Sequence, residues 1–148
     1  MKKAIVLNFV LLTALSTAAS AQGVLGKTLK FTYTYEFYAK IAKQSASGPP
    51  VSGTIYISSK GQVFDYNQSG GATGAVSRSG QLANAQTQTT WHVRGNQLIA
   101  TSGEGAKLIT TITVQGDGCI VRIATTDREI GAKITSQSCT VSSGPPPQ

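Results

Sequence analysis

The stretch Thr28-Leu-Lys-Phe-Thr-Tyr-Thr-Tyr-Glu-Phe-Tyr38 decides the fold class of this chain. Its apolar and aromatic side chains occupy every second position, and polar side chains fill the positions between them. Strict alternation of this kind, with β-branched and aromatic residues, is typical of a β-strand that is buried on one face. The stretch therefore predicts a strand whose inner face carries Leu29, Phe31, Tyr33, Tyr35 and Phe37.

The rest of the chain repeats this pattern in shorter segments. Turn residues separate further predicted strands at 54–58, 62–66, 87–94, 97–101, 106–115, 119–126 and 132–141. No segment after residue 21 keeps a helical period. Short strands with regular turn signals between them predict an all-β domain, a single antiparallel β-sandwich or barrel of about 7–8 strands that is rich in meander connections.

Two longer segments lack a strand pattern. Residues 39–52 are predicted to form a loop that Ile41 anchors to the core. Residues 67–86 are rich in Gly, Ser, Ala and Gln, and two alternatives stay open for them, a functional loop or a disordered one.

The N-terminus has the three parts of a secretory signal. Lys2 and Lys3 precede an apolar segment, and Ala19-Ser20-Ala21 forms a pattern that signal peptidase cleaves. The apolar segment is shorter than the roughly 20 residues of a membrane-spanning helix. We therefore expect a signal peptide at 1–21, a β domain at 22–141 and a flexible Pro-rich tail at 142–148. The mature protein is expected in the periplasm or outside the cell, without stable membrane insertion.

The two cysteines of the chain, Cys119 and Cys139, both follow the predicted signal peptide. An oxidising compartment favours their pairing. Cys119 begins one predicted strand and Cys139 lies near the end of the next, so antiparallel neighbours would bring the two thiols together. The pattern predicts one disulfide.

The charge distribution argues against nucleic acid as a partner. The net charge is +7, and removing Lys2 and Lys3 leaves +5. Only 13% of the residues are charged, and the basic ones are too scattered to form a stripe along one face. Two interpretations of the positive charge stay open: a mildly basic solvated surface, or weak attraction to acidic polymers of the cell envelope.

A longer pattern links several of these segments. It comprises the aromatic first strand, the hairpin sequence Ile-Tyr-Ile-Ser-Ser-Lys-Gly-Gln-Val-Phe at 55–64, Trp91 before a turn, the run 106–119 and the second cysteine. In this layout the chain resembles a group of small secreted proteins of alphaproteobacteria whose function is unknown. The resemblance spans most of the mature chain. It implies the β fold and export and carries no function, because its motifs are packing and turn motifs.

No arrangement of side chains predicts a catalytic centre. His92 is the only histidine, and it should point away from the inner face that Trp91 occupies. The sequence has no nucleophile elbow, no cluster of metal-ligating residues and no phosphate loop. We therefore expect no catalytic residues, no metal and no cofactor. A small exported hydrolase stays open as an alternative, because export and one disulfide suit many enzymes.

Two pairs of residues are candidates for ligand binding. Tyr33 and Tyr35 would either line a small-ligand cavity inside a barrel or pack within the core. Ser102 and Lys107 belong to the sequence Ala-Thr-Ser-Gly-Glu-Gly-Ala-Lys at 100–107. This sequence resembles the Ser-Gly loop and nearby Lys of periplasmic lysozyme inhibitors, which are small disulfide-bearing β-barrels, although the tyrosine that follows the loop in that family is absent here. A plain hairpin turn is the alternative.

These features predict a secreted or periplasmic binding or accessory protein that is not an enzyme. Its partner would be an envelope component or a secreted protein, and the residues do not name the ligand. A lysozyme-inhibitor-like module and a small hydrolase are the two alternatives.

Overall fold

The computed structural model of the 148-residue chain describes residues 23–66, the backbone of 72–76, and residues 89–147. The predicted signal peptide and most of the segment 67–86 lie outside the described residues. The described part consists of β-strands and turns without a helix, which confirms the predicted all-β class. It accordingly contains no helix that could cross a membrane.

Ten strands follow one another in the described part of the chain. They are β1 (Lys27–Ala39), β2 (Ser45–Ser47), β3 (Val51–Ile57), β4 (Val63–Tyr66), β5 (Ala72–Val76), β6 (Thr90–Arg94), β7 (Gln97–Ser102), β8 (Leu108–Gln115), β9 (Gly118–Thr125) and β10 (Ile130–Ser143). They form one antiparallel sheet in the order β5-β4-β3-β1-β10-β9-β8-β7-β6, and β2 pairs with β1 beside this path. The sheet curls into a nearly closed barrel, which is one of the two predicted architectures.

The structure corrects the sequence prediction in the two segments that lack a strand pattern. Ser45–Ser47 forms β2 inside the predicted loop 39–52, and Ala72–Val76 forms β5 inside the segment 67–86. Both strands are short and rich in small residues, so their pairing depends on the neighbouring strands and not on their own alternation. The anchoring prediction for Ile41 is also wrong, because its side chain is 90% exposed.

The barrel encloses one hydrophobic core. This core combines residues from both halves of the sheet order, with Leu29 on β1 and Ile55 on β3 in the same cluster as Leu98 on β7. Val24 is fully buried, and its backbone N–H donates to the carbonyl of Gly95 in the β6–β7 turn. We call this the closed end of the barrel. The opposite end, where the segments after β1, β7 and β9 lie, is the mouth.

A bulge in β10 changes which of its residues face the core. β10 pairs with β1, and the register shifts between Thr34 and Tyr35 so that Thr135 is an extra residue on β10. The hydroxyls of Thr34 and Thr135 lie 2.8 Å apart at this point. Because a bulge reverses the alternation of side chains, both Ile134 and Cys139 pack against the core, although one position is even and the other odd.

β9 and β10 are joined differently from the other neighbouring strands. Ladder pairing between the two strands is limited to Thr140 and Gly118 in the described sheet. Beside that pair, Cys119 and Cys139 form a disulfide with their Cα atoms 5.0 Å apart, which confirms the predicted bridge. We call this junction between β9 and β10 the seam.

A side chain takes the place of backbone pairing in the seam. Nε2 of Gln137 donates to the carbonyl of Val121 at 3.1 Å, and Oε1 of Gln137 accepts from the N–H of Val121 at 2.7 Å. The side-chain amide therefore satisfies two backbone groups of β9 that the neighbouring strand would otherwise pair.

A glycine on β3 makes room for an aromatic ring of β1. Phe31 lies directly opposite Gly53 in the β1–β3 pairing. A Cβ atom at Gly53 would lie 2.5 Å from Cζ of Phe31, well inside van der Waals contact. The buried Phe31 ring thus occupies the space that a side chain at position 53 would need.

Candidate functional site

An open groove of about 530 Å³ lies on the outer face of β1, β3 and β10. Strand register determines its floor. Lys30 pairs with Thr140 on one side and with Thr54 on the other, and Thr32 pairs with Ser52. Since side chains at alternate positions share a face of a sheet, the polar half of the first strand forms the floor of this groove.

Most of the residues that line the groove carry a hydroxyl group. They are Thr28, Thr32, Ser52, Thr54, Tyr66, Thr140 and Ser142. The hydroxyl oxygens of Thr32 and Ser52 lie 3.2 Å apart. Lys30, which is exposed, supplies a positive charge, and the described lining includes no carboxylate. The groove can therefore donate and accept many hydrogen bonds around one cation.

Aromatic rings border the groove on the β4 side. Tyr66 lies opposite Thr54 in the β3–β4 pairing. Tyr56 and Phe64 form the next pair on the same face of these strands, outside the groove lining, and their rings stack with centroids 5.9 Å apart. Half-exposed rings on an outer sheet face offer flat apolar surfaces next to the hydroxyls.

The C-terminal segment also contributes to the groove. β10 runs to Ser143, two residues into the predicted tail, and Pro146 and Pro147 line the groove. The hydroxyl of Thr28 donates to the carbonyl of Gly144 at 2.6 Å, and the N–H of Gly144 donates to the carbonyl of Gly26 at 2.9 Å. These two bonds hold the beginning of the tail against β1.

Tyr33 and Tyr35, the first pair of sequence candidates, lie on the inner side of the barrel. Tyr33 is buried in the hydrophobic core, and the side chain of Thr110 on β8 lies close enough to its hydroxyl to influence the pKa of the phenol. Tyr35 packs against that core, with its ring centroid 6.1 Å from that of Tyr33. Neither tyrosine lines the groove. Their positions favour core packing over a role in a ligand cavity.

Tyr33 should make the stability of the protein fall more steeply above pH 10. Burial raises the pKa of Tyr33 above its usual value of 10.0, the nearby side chain of Thr110 opposes this rise, and Tyr35 adds to it. The folded protein therefore holds the phenol proton more tightly than the unfolded chain does. This contribution to stability is complete below the unfolded-state pKa and is lost as the pH rises through the folded-state pKa.

Urea unfolding of the wild type and of Tyr33→Phe, each at pH 7 and at about pH 11, measures this effect. At pH 7 the substitution should change the free energy of unfolding by at most about 1 kcal/mol, because it removes one hydroxyl group and keeps the buried ring. Between the two pH values the wild type should lose more stability than the variant. Equal losses in the two proteins would refute the assignment.

Ser102 and Lys107, the second pair of candidates, flank the turn between β7 and β8. Nζ of Lys107 donates to the carbonyl of Gly103 and, at 3.2 Å, to that of Glu104. The backbone N–H of Lys107 donates to Oγ1 of Thr126 at 2.7 Å. The ammonium group thus closes its own turn, which favours the hairpin-turn alternative. The resemblance to lysozyme inhibitors stays a prediction.

The titratable side chains outside these pairs form no recognisable reaction centre in the described part of the chain. His92 is exposed on β6, on the face opposite to buried Trp91. Asp65 on β4 is half-buried, and burial raises the pKa of its carboxyl group. Among the described residues, no three or more His, Cys, Asp or Glu side chains are placed to hold a metal ion.

A second open cavity, of about 310 Å³, lies at the mouth of the barrel. Phe37 on β1, Leu108 on β8, Thr125 on β9 and Ile130 on β10 line it, together with Ala106, Lys107 and Asp127. The four strand residues stand at the mouth ends of their strands. The cavity is therefore the open end of the barrel, with charged groups at its edge.

Sequence reasoning misses the groove, although it correctly places Lys30 and Thr32 on the polar face of the first strand. The signal is weak because each contributing strand shows only ordinary polar residues. The groove exists because β3 and β10 pair with opposite edges of β1. No single segment of the sequence predicts this pairing.

No family model, no curated protein and no solved structure matches this chain. The resemblances to small secreted proteins of alphaproteobacteria and to lysozyme inhibitors therefore stay predictions. The geometry of the groove and the mouth is the remaining basis for a proposed function.

Proposed function

We propose that this protein is an exported, non-enzymatic binding protein whose groove holds an acidic, hydroxyl-rich glycan of the cell envelope. The observation that carries the proposal is the outer face of β1, β3 and β10. It combines one lysine, the ring of Tyr66 and the hydroxyl groups of seven residues around an open volume of about 530 Å³, and of these hydroxyls that of Thr28 already donates to Gly144.

The hydroxyls suit a ligand that is itself rich in hydroxyl groups. Thr32, Thr54 and Thr140 stand on three neighbouring strands, so the lining spreads across the sheet instead of converging on one point. Such a lining favours an extended chain over a compact molecule. Tyr66 adds an aromatic ring, whose face can pack against the apolar face of a sugar ring.

The charge favours an acidic ligand over a neutral one. Lys30 lies in the floor of the groove, and no carboxylate of the described lining opposes it. The net charge that remains without Lys2 and Lys3 of the predicted signal peptide, +5, has the same sign. A polyanion would therefore be attracted both to the molecule and to the groove.

The disulfide supports export. Disulfides persist mainly in oxidising compartments, and the bond between Cys119 and Cys139 is closed. The proposed location is the periplasm or the cell exterior, after cleavage at the predicted signal peptide.

Titration calorimetry with a hexameric oligogalacturonate, compared with cellohexaose as the neutral counterpart, tests the proposal. We expect binding of the acidic oligomer that weakens with salt, because exposed charges are screened within about 10 Å at 0.1 M salt. Lys30→Gln should lower the affinity about threefold to fivefold, as expected for an exposed ionic contact of up to about 1 kcal/mol. Tyr66→Ala should lower it by a similar factor.

Lys60→Gln is the matched control, because Lys60 is an exposed lysine in the β3–β4 turn outside the groove lining. It removes the same charge and should change the affinity less than twofold. Equal effects of Lys30→Gln and Lys60→Gln would show that only net charge matters. No binding of either oligomer at millimolar concentration would refute the proposal.

The two alternative functions have less support from the described contacts. The exposed position of His92 gives no support to the hydrolase alternative. The ammonium group of Lys107 donates to a carbonyl group of its own turn, which gives no support to the inhibitor alternative. Inhibition of lysozyme by the purified protein, abolished by Ser102→Ala with Lys107→Ala, would favour the inhibitor alternative over the glycan-binding proposal.

A further inference from the structure

An isoleucine is held in solvent at the mouth of the barrel. Ile41 follows β1 and is 90% exposed. Its turn is fixed by backbone bonds, because the N–H of Ala39 donates to the carbonyl of Gln44 and the N–H of Lys40 donates to the carbonyl of Glu129, both at 2.8 Å. Lys43 has a φ of 50°, a left-handed conformation that is uncommon for a residue with a side chain. The turn therefore presents Ile41 outward in a defined position.

Apolar surface continues from this turn into the mouth. Ile130 pairs with Ala39 and is 41% exposed. It also lines the mouth cavity with Phe37 and Leu108. Large exposed apolar side chains are ordinary when they are scattered, but here two of them stand at the same end of the barrel, next to an apolar opening.

Cations surround this apolar surface. Lys40 and Lys43 flank Ile41, and Lys107 lies at the edge of the mouth cavity. The ammonium groups of Lys40 and Lys107 donate to backbone carbonyls, of Asp127 and of Gly103 respectively. Carbonyl groups carry no net charge, so these hydrogen bonds position the two ammonium groups without neutralising them. Lys40 also attracts the carboxylate of Asp127 and helps to lower its pKa.

The carboxylates at the same end are Glu104, Asp127 and Glu129, and Arg128 is a fourth cation. The carboxylate of Asp127 accepts hydrogen bonds from the N–H groups of Glu129 and Ile130, at 2.7 and 2.9 Å. It is thereby turned towards its own loop. The balance of charge at the mouth is positive by one, with the lysines placed on both sides of Ile41.

We propose that the mouth of the barrel docks on an anionic lipid bilayer, with Ile41 inserted at the interface, Lys40 and Lys43 near the headgroups, and Lys107 contributing its positive charge from within its turn. An apolar side chain between cations matches such an interface, where acyl chains lie below a negatively charged layer. One inserted side chain and a few lysines give weak, reversible attachment.

This docking leaves the groove accessible. Lys30 and the mouth end of β1 are separated by roughly 30 Å at the rise of about 3.3 Å per residue in a strand. A docked molecule would present the groove away from the bilayer, towards the polymers next to it. The inference depends only on residues at the mouth. Its test is therefore independent of whether the groove binds a glycan.

Sedimentation of the purified disulfide-bonded protein with vesicles tests the inference. Vesicles of phosphatidylcholine with about 30% phosphatidylglycerol, a composition chosen to carry about one anionic lipid in three, should bind the protein. Pure phosphatidylcholine should bind it at least about tenfold more weakly. Ile41→Ser should weaken binding to the anionic vesicles about tenfold, and Lys40→Gln with Lys43→Gln should weaken it about as much.

Leu25→Ser is the matched control, because Leu25 is also an exposed apolar residue, at 49%, but precedes β1 at the closed end. It should leave vesicle binding unchanged. The unfolding midpoint of each variant shows that the fold is intact, as expected for exposed positions. Absence of binding at millimolar anionic lipid, or equal effects of Ile41→Ser and Leu25→Ser, would overturn the inference. A dimer in analytical ultracentrifugation that Ile41→Ser disrupts, without vesicle binding, would do the same and identify a second copy as the occupant.

Discussion

Replacing Cys119 and Cys139 together by alanine should lower the free energy of unfolding by about 3 kcal/mol. The disulfide closes a loop with a sequence separation of 20 residues, and a loop of this size is expected to contribute about that much by restricting the unfolded chain. The midpoint of thermal unfolding should fall by roughly 12 °C, at about 4 °C for each kcal/mol in a domain of this size. Urea unfolding and calorimetry measure the two quantities.

The seam gives this prediction a structural counterpart. Without the disulfide, β9 and β10 would be held by a single ladder pair and by the two hydrogen bonds between Gln137 and Val121. Amide hydrogen exchange should therefore accelerate first at 120–125, before it does so in β7 or β8. The reduced wild-type protein is the control and should match the double variant. A loss of less than about 1 kcal/mol, well below the range of native disulfides in small domains, would contradict the role assigned to the bridge.

Gly53→Ala should lower the free energy of unfolding by about 2 kcal/mol. The added Cβ atom would lie 2.5 Å from Cζ of Phe31, and Phe31 is a buried member of the core. The ring cannot move into solvent without giving up that packing, so the substitution overfills the interface between β1 and β3. Urea unfolding with an unchanged m-value is the expected result.

Two further variants isolate the cause of this effect. Gly105→Ala adds the same methyl group where no atom lies within 4 Å of the new Cβ, and it should change stability by less than about 0.5 kcal/mol. Phe31→Leu removes the ring, so in that background Gly53→Ala should cost clearly less than in the wild type. An equal cost in both backgrounds would show that contact with the ring does not explain the effect.

Strands with a complete alternation were predictable from sequence. Leu29, Phe31 and Tyr33 form a buried row as the first strand predicts, and Ile112 and Val114 do so on β8. The alternation is informative because each side chain responds to burial at its own position. Turns were predictable for a similar local reason, since Gly61 and Gly95 have positive φ values of 82° and 60° in the two expected hairpins.

Much of the candidate site was not predictable in this way. The first strand identifies Lys30 and Thr32 as outward residues, but the groove also needs Ser52, Thr54 and Thr140, which come from strands distant in sequence. Tyr33 was a candidate because of its hydroxyl, and only the tertiary structure shows that this side chain lies in the core, near Thr110 of β8. Ile41 looked like a core anchor because residue type alone does not reveal the direction of a turn.

The sequence by itself determined that this chain is an all-β domain with inner and outer faces on its strands and with one disulfide. These are consequences of local alternation, turn residues and the presence of two cysteines. Only the tertiary structure decided that the sheet curls into a nearly closed barrel, that Thr135 shifts the register of β10, and that the groove and the mouth lie where they do. The physical reason is that register and closure depend on contacts between strands far apart in the chain, whose energies are shared among many residues and leave no signature in any one of them.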